Sequence, residues 1–174
     1  MSIEIERKFL VRDARWRAEA VDRARLRQGY LANTARCSVR VRLAGGRGWL
    51  SAKAMQPGPA RPEYEYEIPA GEAEAMLTAF AEGPVVEKLR HRVMAGAHCF
   101  ELDEFLGANE GLVLAEIELD APDQAFPRPP WLGDEVTHDG RFYNFRLATE
   151  PYSSWPAAAR AAVAAGRAPA GGAP

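Results

Sequence analysis

The sequence is short of most features that mark the common classes of small protein. No apolar run approaches the roughly 18–20 residues of a membrane-spanning helix, and the chain enters a charged segment at once, so neither a membrane span nor a secretory leader is expected. Cysteine is scarce. Cys37 and Cys99 lie far apart, in no metal-ligand spacing, and each sits in an apolar alternation. Buried free thiols in a reducing cytoplasm are the expectation, with a single disulfide the lesser alternative. His91, His98 and His138 are scattered, so no His/Cys cluster offers itself to zinc. Neither charge sign dominates: 22 basic residues against 24 acidic give a net charge of −2. That argues against a general nucleic-acid binder, though not against a local basic patch. There is no Gly-x-x-x-x-Gly-Lys phosphate loop, and no serine nucleophile with a histidine partner in a recognisable setting.

What the chain does have is 174 residues, 47% hydrophobic and 26% charged, which suits one domain with a full core. Its most ordered stretch is residues 3–11. Ile3, Ile5, Phe9 and Val11 take alternate places, which predicts a β-strand with Glu4, Glu6 and Lys8 together on its other face. Such a row is commonly just the wet face of a sheet. Here it recurs. Arg40 and Arg42 share a face at 38–43, and a turn at 44–48 returns the chain with Trp49, Ser51 and Lys53 together. Arg61, Glu63, Glu65 and Glu67 share a face at 61–69, opposite Tyr64, Tyr66 and Ile68. Lys88, Arg90 and Arg92 do so at 85–93, Glu101 and Asp103 at 99–103, and Glu116 and Glu118 at 112–119. A further strand is expected over 26–31, and a mobile Pro/Gly loop at 56–59. Helices are expected over 13–22, capped by Asp13, over 71–81, after Asp139, and in the Ala-rich stretch beyond Pro156. Residues 167–174 read as a disordered tail.

An open sheet would leave this broad face of both charge signs in water. Closing it into a barrel would put the charged rows around a lumen and the apolar rows outside, under helices. A dry charged interior is costly, so the lumen should be wet or hold a polyanion with metal. Lys8, Arg40, Arg42, Lys53, Arg61, Lys88, Arg90 and Arg92 supply grips for phosphate oxygens. Glu4, Glu6, Glu63, Glu65, Glu101, Asp103, Glu116 and Glu118 supply hard oxygen donors for Mg²⁺ or Mn²⁺.

The motif Glu4-x-Glu6-x-Lys8 resembles the signature of the CYTH family, also called triphosphate tunnel metalloenzymes. Arg27-Gln28-Gly29-Tyr30-Leu31, Arg40-Val41-Arg42, Lys53, Arg61-x-Glu63-x-Glu65, Lys88-Leu89-Arg90, Glu101-Leu102-Asp103 and Glu116-Ile117-Glu118 follow in family order. So do Trp131-Leu132-Gly133, Glu135-Val136-Thr137 and Tyr143-Asn144. The resemblance covers residues 1–150, leaving 151–174 as a C-terminal helix and Ala/Gly/Pro-rich tail. It implies an α+β fold built on an antiparallel closed β-barrel of about eight strands, with a charged lumen and flanking helices. It implies Mg²⁺- or Mn²⁺-dependent chemistry on a triphosphate, with Glu4, Glu6, Glu116 and Glu118 holding metal and Glu63, Glu65 and Asp103 assisting. Arg40, Arg42, Lys53, Arg61, Lys88 and Arg90 would hold phosphates, while Lys8, its proton affinity lowered beside Tyr30 and metal, would activate water. The compact bacterial inorganic triphosphatases are the nearest branch, since the chain starts almost at the signature. Adenylate cyclase and thiamine triphosphatase are the alternatives, and a polyphosphate- or nucleotide-binding module is the non-enzymatic one. The partner expected is a triphosphate-containing small molecule, with no nucleic acid or membrane. A homodimer rests on the resemblance alone, and the location expected is the cytoplasm.

Overall fold

A computed structural model describes the backbone of residues 2–55 and 60–171, with side chains described from residue 5 and, after the gap, from residue 62. Two of the candidate site residues, Glu4 and Arg61, and the loop at 56–59 therefore lie outside the described side chains.

Among the described residues nine strands form one antiparallel sheet. They are β1 (Ser2–Val11), β2 (Ala20–Asn33), β3 (Cys37–Ala44), β4 (Arg47–Ala54), β5 (Ala60–Ile68), β6 (Val86–Ala95), β7 (His98–Phe105), β8 (Val113–Glu118) and β9 (Leu132–Glu135). The order is β5-β4-β3-β2-β6-β7-β8-β1-β9, and β5 also pairs with β1. Along β1, β8 takes one edge from Glu6 to Leu10. On the other edge β5 pairs with Ser2 to Ile5, and β9 with Phe9 and Val11.

Three α-helices lie among the described residues: α1 (Ala70–Ala79), α2 (Asn144–Thr149) and α3 (Ala157–Ala164). Among the described residues no helix is long and apolar enough to cross a membrane. Helix α1 buries Ala73 and Leu77 against Val41, with Leu43, Leu50 and Ile68 around them, and so covers the outer face of β3–β5. Another outer core gathers Ile5, Phe9, Phe100, Ile117, Trp16 and Trp131. Each large apolar side chain buried this way contributes roughly 1.5–3 kcal/mol.

The inner face departs from a simple charged lining. Leu10 lies on the same face of β1 as Glu6 and Lys8, and Leu114 on the same face of β8 as Glu116. Both join Phe105, Val86, Phe142, Leu147 and Val163 in a third core. Toward the end where α2 and α3 pack, the charged row gives way to apolar packing.

Several expectations are corrected. The helix expected over 13–22 is only a 3₁₀ turn, Ala14–Ala18, capped by the Asp13 carboxylate at 3.0 Å from the Arg15 N–H. Strand pairing claims the residues after it: β2 begins at Ala20 because residues from there to Gln28 pair with β6. Strand β9 was not expected. Asp139 caps a 3₁₀ turn, Gly140–Phe142, and α2 starts only at Asn144. The tail is docked as far as 169. The Asp134 N–H donates to Gly166 O at 2.9 Å, the Ala168 N–H to the Asp134 carboxylate at 3.0 Å, and Arg141 to Pro169 O at 2.9 Å. Gly133 permits this crossing, for a Cβ there would stand 2.6 Å from Gly166 O. Both cysteines are free and half-buried rather than sunk in the core, and burial raises the Cys99 thiol pKa.

Candidate active site

The alternation of residues 3–11 delivers Glu6 and Lys8 to the inner face of β1, and the register with β8 sets Glu118 opposite Glu6 and Glu116 opposite Lys8. Lys8 Nζ lies 2.8 Å from Glu116, 3.6 Å from Glu6 and 3.5 Å from the carbonyl oxygen of Phe142. Its backbone N–H donates to Thr137 Oγ1 at 3.0 Å. Burial acts to lower the Lys8 pKa, but Glu116 and Glu6 outweigh it, and the pKa is raised. Two carboxylates thus face this ammonium, while the lowered proton affinity expected of Lys8 is tied to a metal beside it. Tyr30 lies nearby with its ring edge toward Phe145, and burial raises its own pKa.

Glu116 is shared. Its second oxygen accepts from Arg90 Nη2 at 2.7 Å. Burial acts to raise the Glu116 pKa, but Lys8, Lys88 and Arg90 prevail and hold it well below the usual range. Glu6 behaves oppositely: burial, and then the charge of Glu116, raise it. Arg90 also grips Asp103, at 2.7 and 2.6 Å, and bonds Glu101. Asp103 in turn bonds Lys88, and this pair is sealed off, with the side chains 0% and 1% exposed.

The remaining grips come from β3, β4 and β5. Arg40 Nε donates to Ser51 Oγ at 3.3 Å, and its Nη2 lies 3.6 and 3.7 Å from Glu63 and Glu65. Arg42 Nη2 donates to Glu65 at 3.0 Å, and its guanidinium lies over the Trp49 ring. Lys53 Nζ is 4.0 Å from Glu63.

These groups surround one cavity of about 570 Å³. Of the expected site residues, Glu6, Lys8, Tyr30, Glu63, Glu116 and Glu118 line it, as do the cations Arg40, Arg42, Lys53 and Arg90. Lys88 and Asp103 do not: they stand behind Arg90, bonded to each other. Glu65 is also outside the lining, bonded to Arg42. Ser51, Thr137, Tyr143, Asn144 and Phe145 line the cavity too, with no role expected of them from sequence. For Ser51 the signal was its place between Trp49 and Lys53 on the charged face. Tyr143 and Asn144 were visible only as a motif.

Among the described residues no group of three or more His, Cys, Asp or Glu is already gathered around a metal position, since Lys8 and Arg90 occupy Glu116. The donor chemistry nonetheless fits a hard divalent cation. Glu6, Glu116 and Glu118 present carboxylate oxygens to one cavity, the hard donors that such a cation takes.

A sheet face that interleaves arginine and lysine with carboxylates around one cavity has the chemistry to take a polyanion of the phosphate-chain type together with a cation. The chain belongs to the CYTH domain family, whose model matches residues 2–144. An inorganic triphosphatase of Acetivibrio thermocellus is 44% identical over 155 residues, 89% of this chain and 99% of that protein. One from Nitrosomonas europaea is 41% identical over 149 residues, 83% of this chain and 96% of its own length. Among solved structures, that of the inorganic triphosphatase NE1496 superposes with a TM-score of 0.59 at 38% identity, covering 90% of this chain and 98% of the other.

Proposed function

We propose that the chain is an inorganic triphosphatase, which hydrolyses tripolyphosphate to pyrophosphate and phosphate. The observation that carries the reading is the single cavity in which Lys8, Arg40, Arg42, Lys53 and Arg90 face Glu6, Glu116 and Glu118. The names and near-complete overlap of the two bacterial relatives support the substrate. The β1–β5 pairing supports closure of β5-β4-β3-β2-β6-β7-β8-β1 into a tunnel around that cavity.

Mg²⁺ or Mn²⁺ would be held by Glu6, Glu116 and Glu118, with Glu63 within the same cavity and Glu4 as the remaining candidate. Bound there, such a cation would supply charge neutralisation on the phosphate oxygens. Arg40, Arg42, Lys53 and Arg90 hold the chain of phosphates extended and stabilise its equatorial oxygens as charge shifts. The water oxygen bonds to the terminal phosphorus as the bridging P–O bond breaks; pyrophosphate leaves with the bridging oxygen, and the proton lost by the water passes to a phosphate oxygen of the products. Lys8 enters this step as an ammonium. It positions the water with the Tyr30 hydroxyl and faces the developing negative charge. Lys88 and Asp103 act from behind, holding Arg90 in one orientation.

The test is phosphate and pyrophosphate release from tripolyphosphate and from ATP in parallel, with Mg²⁺, with Mn²⁺ and after chelation. Fast metal-dependent cleavage of tripolyphosphate with little ATP turnover is expected. Cyclic AMP from ATP, or tight binding without turnover of either compound, would overturn the reading.

A further inference from the structure

One side chain on the same face of β2 as Tyr30, behind the residues that line the cavity, has no partner at either end of its amide. Gln28 is 0% exposed, and neither its Nε2 nor its Oε1 makes a hydrogen bond. Buried polar groups left this way are destabilising, and native proteins hold few of them. Gly29 fixes which way Gln28 faces. A Cβ on Gly29 would stand 2.9 Å from Leu77 and 3.0 Å from Ala81, so that face of β2 lies against the segment that includes α1. Neighbouring strand residues alternate, so Gln28 and Tyr30 point the other way, and Tyr30 lines the cavity.

Directly across the β2–β3 pair stands Arg42, with the complementary defect. Its Nε is buried and without a partner, while Nη2 is given to Glu65 at 3.0 Å. Cross-strand neighbours have Cβ atoms about 4.5–5.5 Å apart, within reach of two long side chains. An orphan acceptor and an orphan donor thus stand on directly paired residues, while the rest of the guanidinium is engaged by Glu65 and Trp49.

We propose that Gln28 is a positioning residue for Arg42. When the guanidinium leaves Glu65 for a phosphate oxygen, its Nε–H donates to Gln28 Oε1, and that bond fixes the plane in which both Nη groups meet the anion. The inference rests on reading the cavity as a triphosphate site. It gives Gln28 a part that neither cations nor carboxylates supply: it selects one orientation of an arginine that has two. A lysine in place of Arg42 has no Nε–H and cannot use Gln28.

The experiment compares wild type, Gln28→Met, Arg42→Lys and the double variant. It measures steady-state tripolyphosphate hydrolysis, calorimetric binding of tripolyphosphate, and thermal melts without ligand. Gln28→Met keeps side-chain length and removes the amide. The expected result is KM and Kd for tripolyphosphate raised about tenfold, the scale of a hydrogen bond to a charged group, with kcat changed less than about threefold. The ligand-free melting temperature should be unchanged or higher, because an unpartnered amide is gone; a merely structural glutamine would lower it. The double variant should bind no worse than Arg42→Lys alone, since both changes remove one bond. Gln28→Asn, which draws the amide back by one methylene, reads the same bond if Gln28→Met does not fold. Wild-type KM and Kd in the Gln28 variants, or additive losses in the double variant, would overturn the proposal alone. A wild-type protein that neither binds nor cleaves tripolyphosphate would overturn the functional reading, and this one with it.

Discussion

Lys8 and Glu116 are direct cross-strand partners on β1 and β8, and their charged groups meet at 2.8 Å. The contact joins a proposed cation ligand to the proposed catalytic ammonium. With one contact on each oxygen, Glu116 keeps lone pairs that a cation could take. Lys8→Met removes the ammonium and leaves Glu116 bonded to Arg90. We expect kcat for tripolyphosphate to fall roughly 10²- to 10³-fold, the scale of losing one group aimed at developing charge, with a smaller change in KM. Steady-state kinetics on the folded variant check this, and an unchanged kcat takes Lys8 out of the chemistry.

The sealed Lys88–Asp103 pair makes a prediction about stability. Asp103→Leu leaves Lys88 buried without its partner and frees one side of Arg90. Breaking a buried pair from one side costs about 3–5 kcal/mol, whereas replacing both members with apolar residues of similar size is often near neutral. Asp103→Leu should therefore unfold at much lower urea concentration, and Lys88→Met/Asp103→Leu should recover most of that loss. Activity should not recover with it, because Arg90 has lost the fork that aims it. A double variant with both stability and wild-type KM would show that Arg90 needs no such support.

These two pairs also mark where sequence reading succeeds and stops. The period-two alternation of 3–11, 38–43 and 112–119 is enough to say that Glu6 and Lys8, Arg40 and Arg42, and Glu116 and Glu118 share faces. Which strand each face meets is a matter of register and sheet order, which alternation does not carry. Hence Lys88 and Arg90 look equivalent in sequence, yet one is sealed against Asp103 and the other reaches the cavity. The apolar end of the inner face was written as Leu10, Leu114 and Phe105 at charged-face positions, a break in pattern that means little before the third core is seen. The 3₁₀ turn after Asp13 carries an ordinary helix cap, and only the partner strand β6 explains why the chain goes extended at Ala20.

Glu6 offers a test that separates binding from stability. Burial and the neighbouring Glu116 raise its pKa above the usual 4.5. A carboxyl whose pKa is raised in the folded state costs nothing below its unfolded pKa, and the cost grows as pH rises from there through its folded pKa. In chelator-treated protein, Glu6→Gln should therefore raise the melting temperature near neutral pH, and the gain should vanish toward pH 4. The same substitution should increase the metal concentration for half-maximal activity by tenfold or more, on the order of what losing a ligating group costs. Chelation itself should abolish tripolyphosphate cleavage, and Mg²⁺ or Mn²⁺ should restore it. A variant with wild-type metal titration would remove Glu6 from the ligand set, even if the melt shifts as expected.

The last prediction concerns the edge of β1 opposite β8. Arg7 Nε donates to Glu135 Oε1 at 2.8 Å, and Nη2 bonds the other oxygen, a fork that fastens β9 to β1. Thr137 adds a hydroxyl donor to Glu135 at 2.7 Å while accepting the Lys8 N–H, so the fork is tied to the backbone of the proposed catalytic residue. Burial acts to raise the Glu135 pKa, but the hydrogen bonds from Arg7 and Thr137 outweigh it, and the pKa lies below 4.5. For a carboxylate depressed in the folded state, the stabilisation is present above the unfolded value and lost as pH falls through the folded value. Glu135→Gln should thus melt at lower temperature than wild type above the ordinary carboxylate pKa, and the two curves should converge as pH falls through the lower value that Glu135 has in the folded state. Melting curves across that range decide it. A gap that persists undiminished at the acid end would mean that Glu135 acts through packing, and that charge does not hold β9 in place.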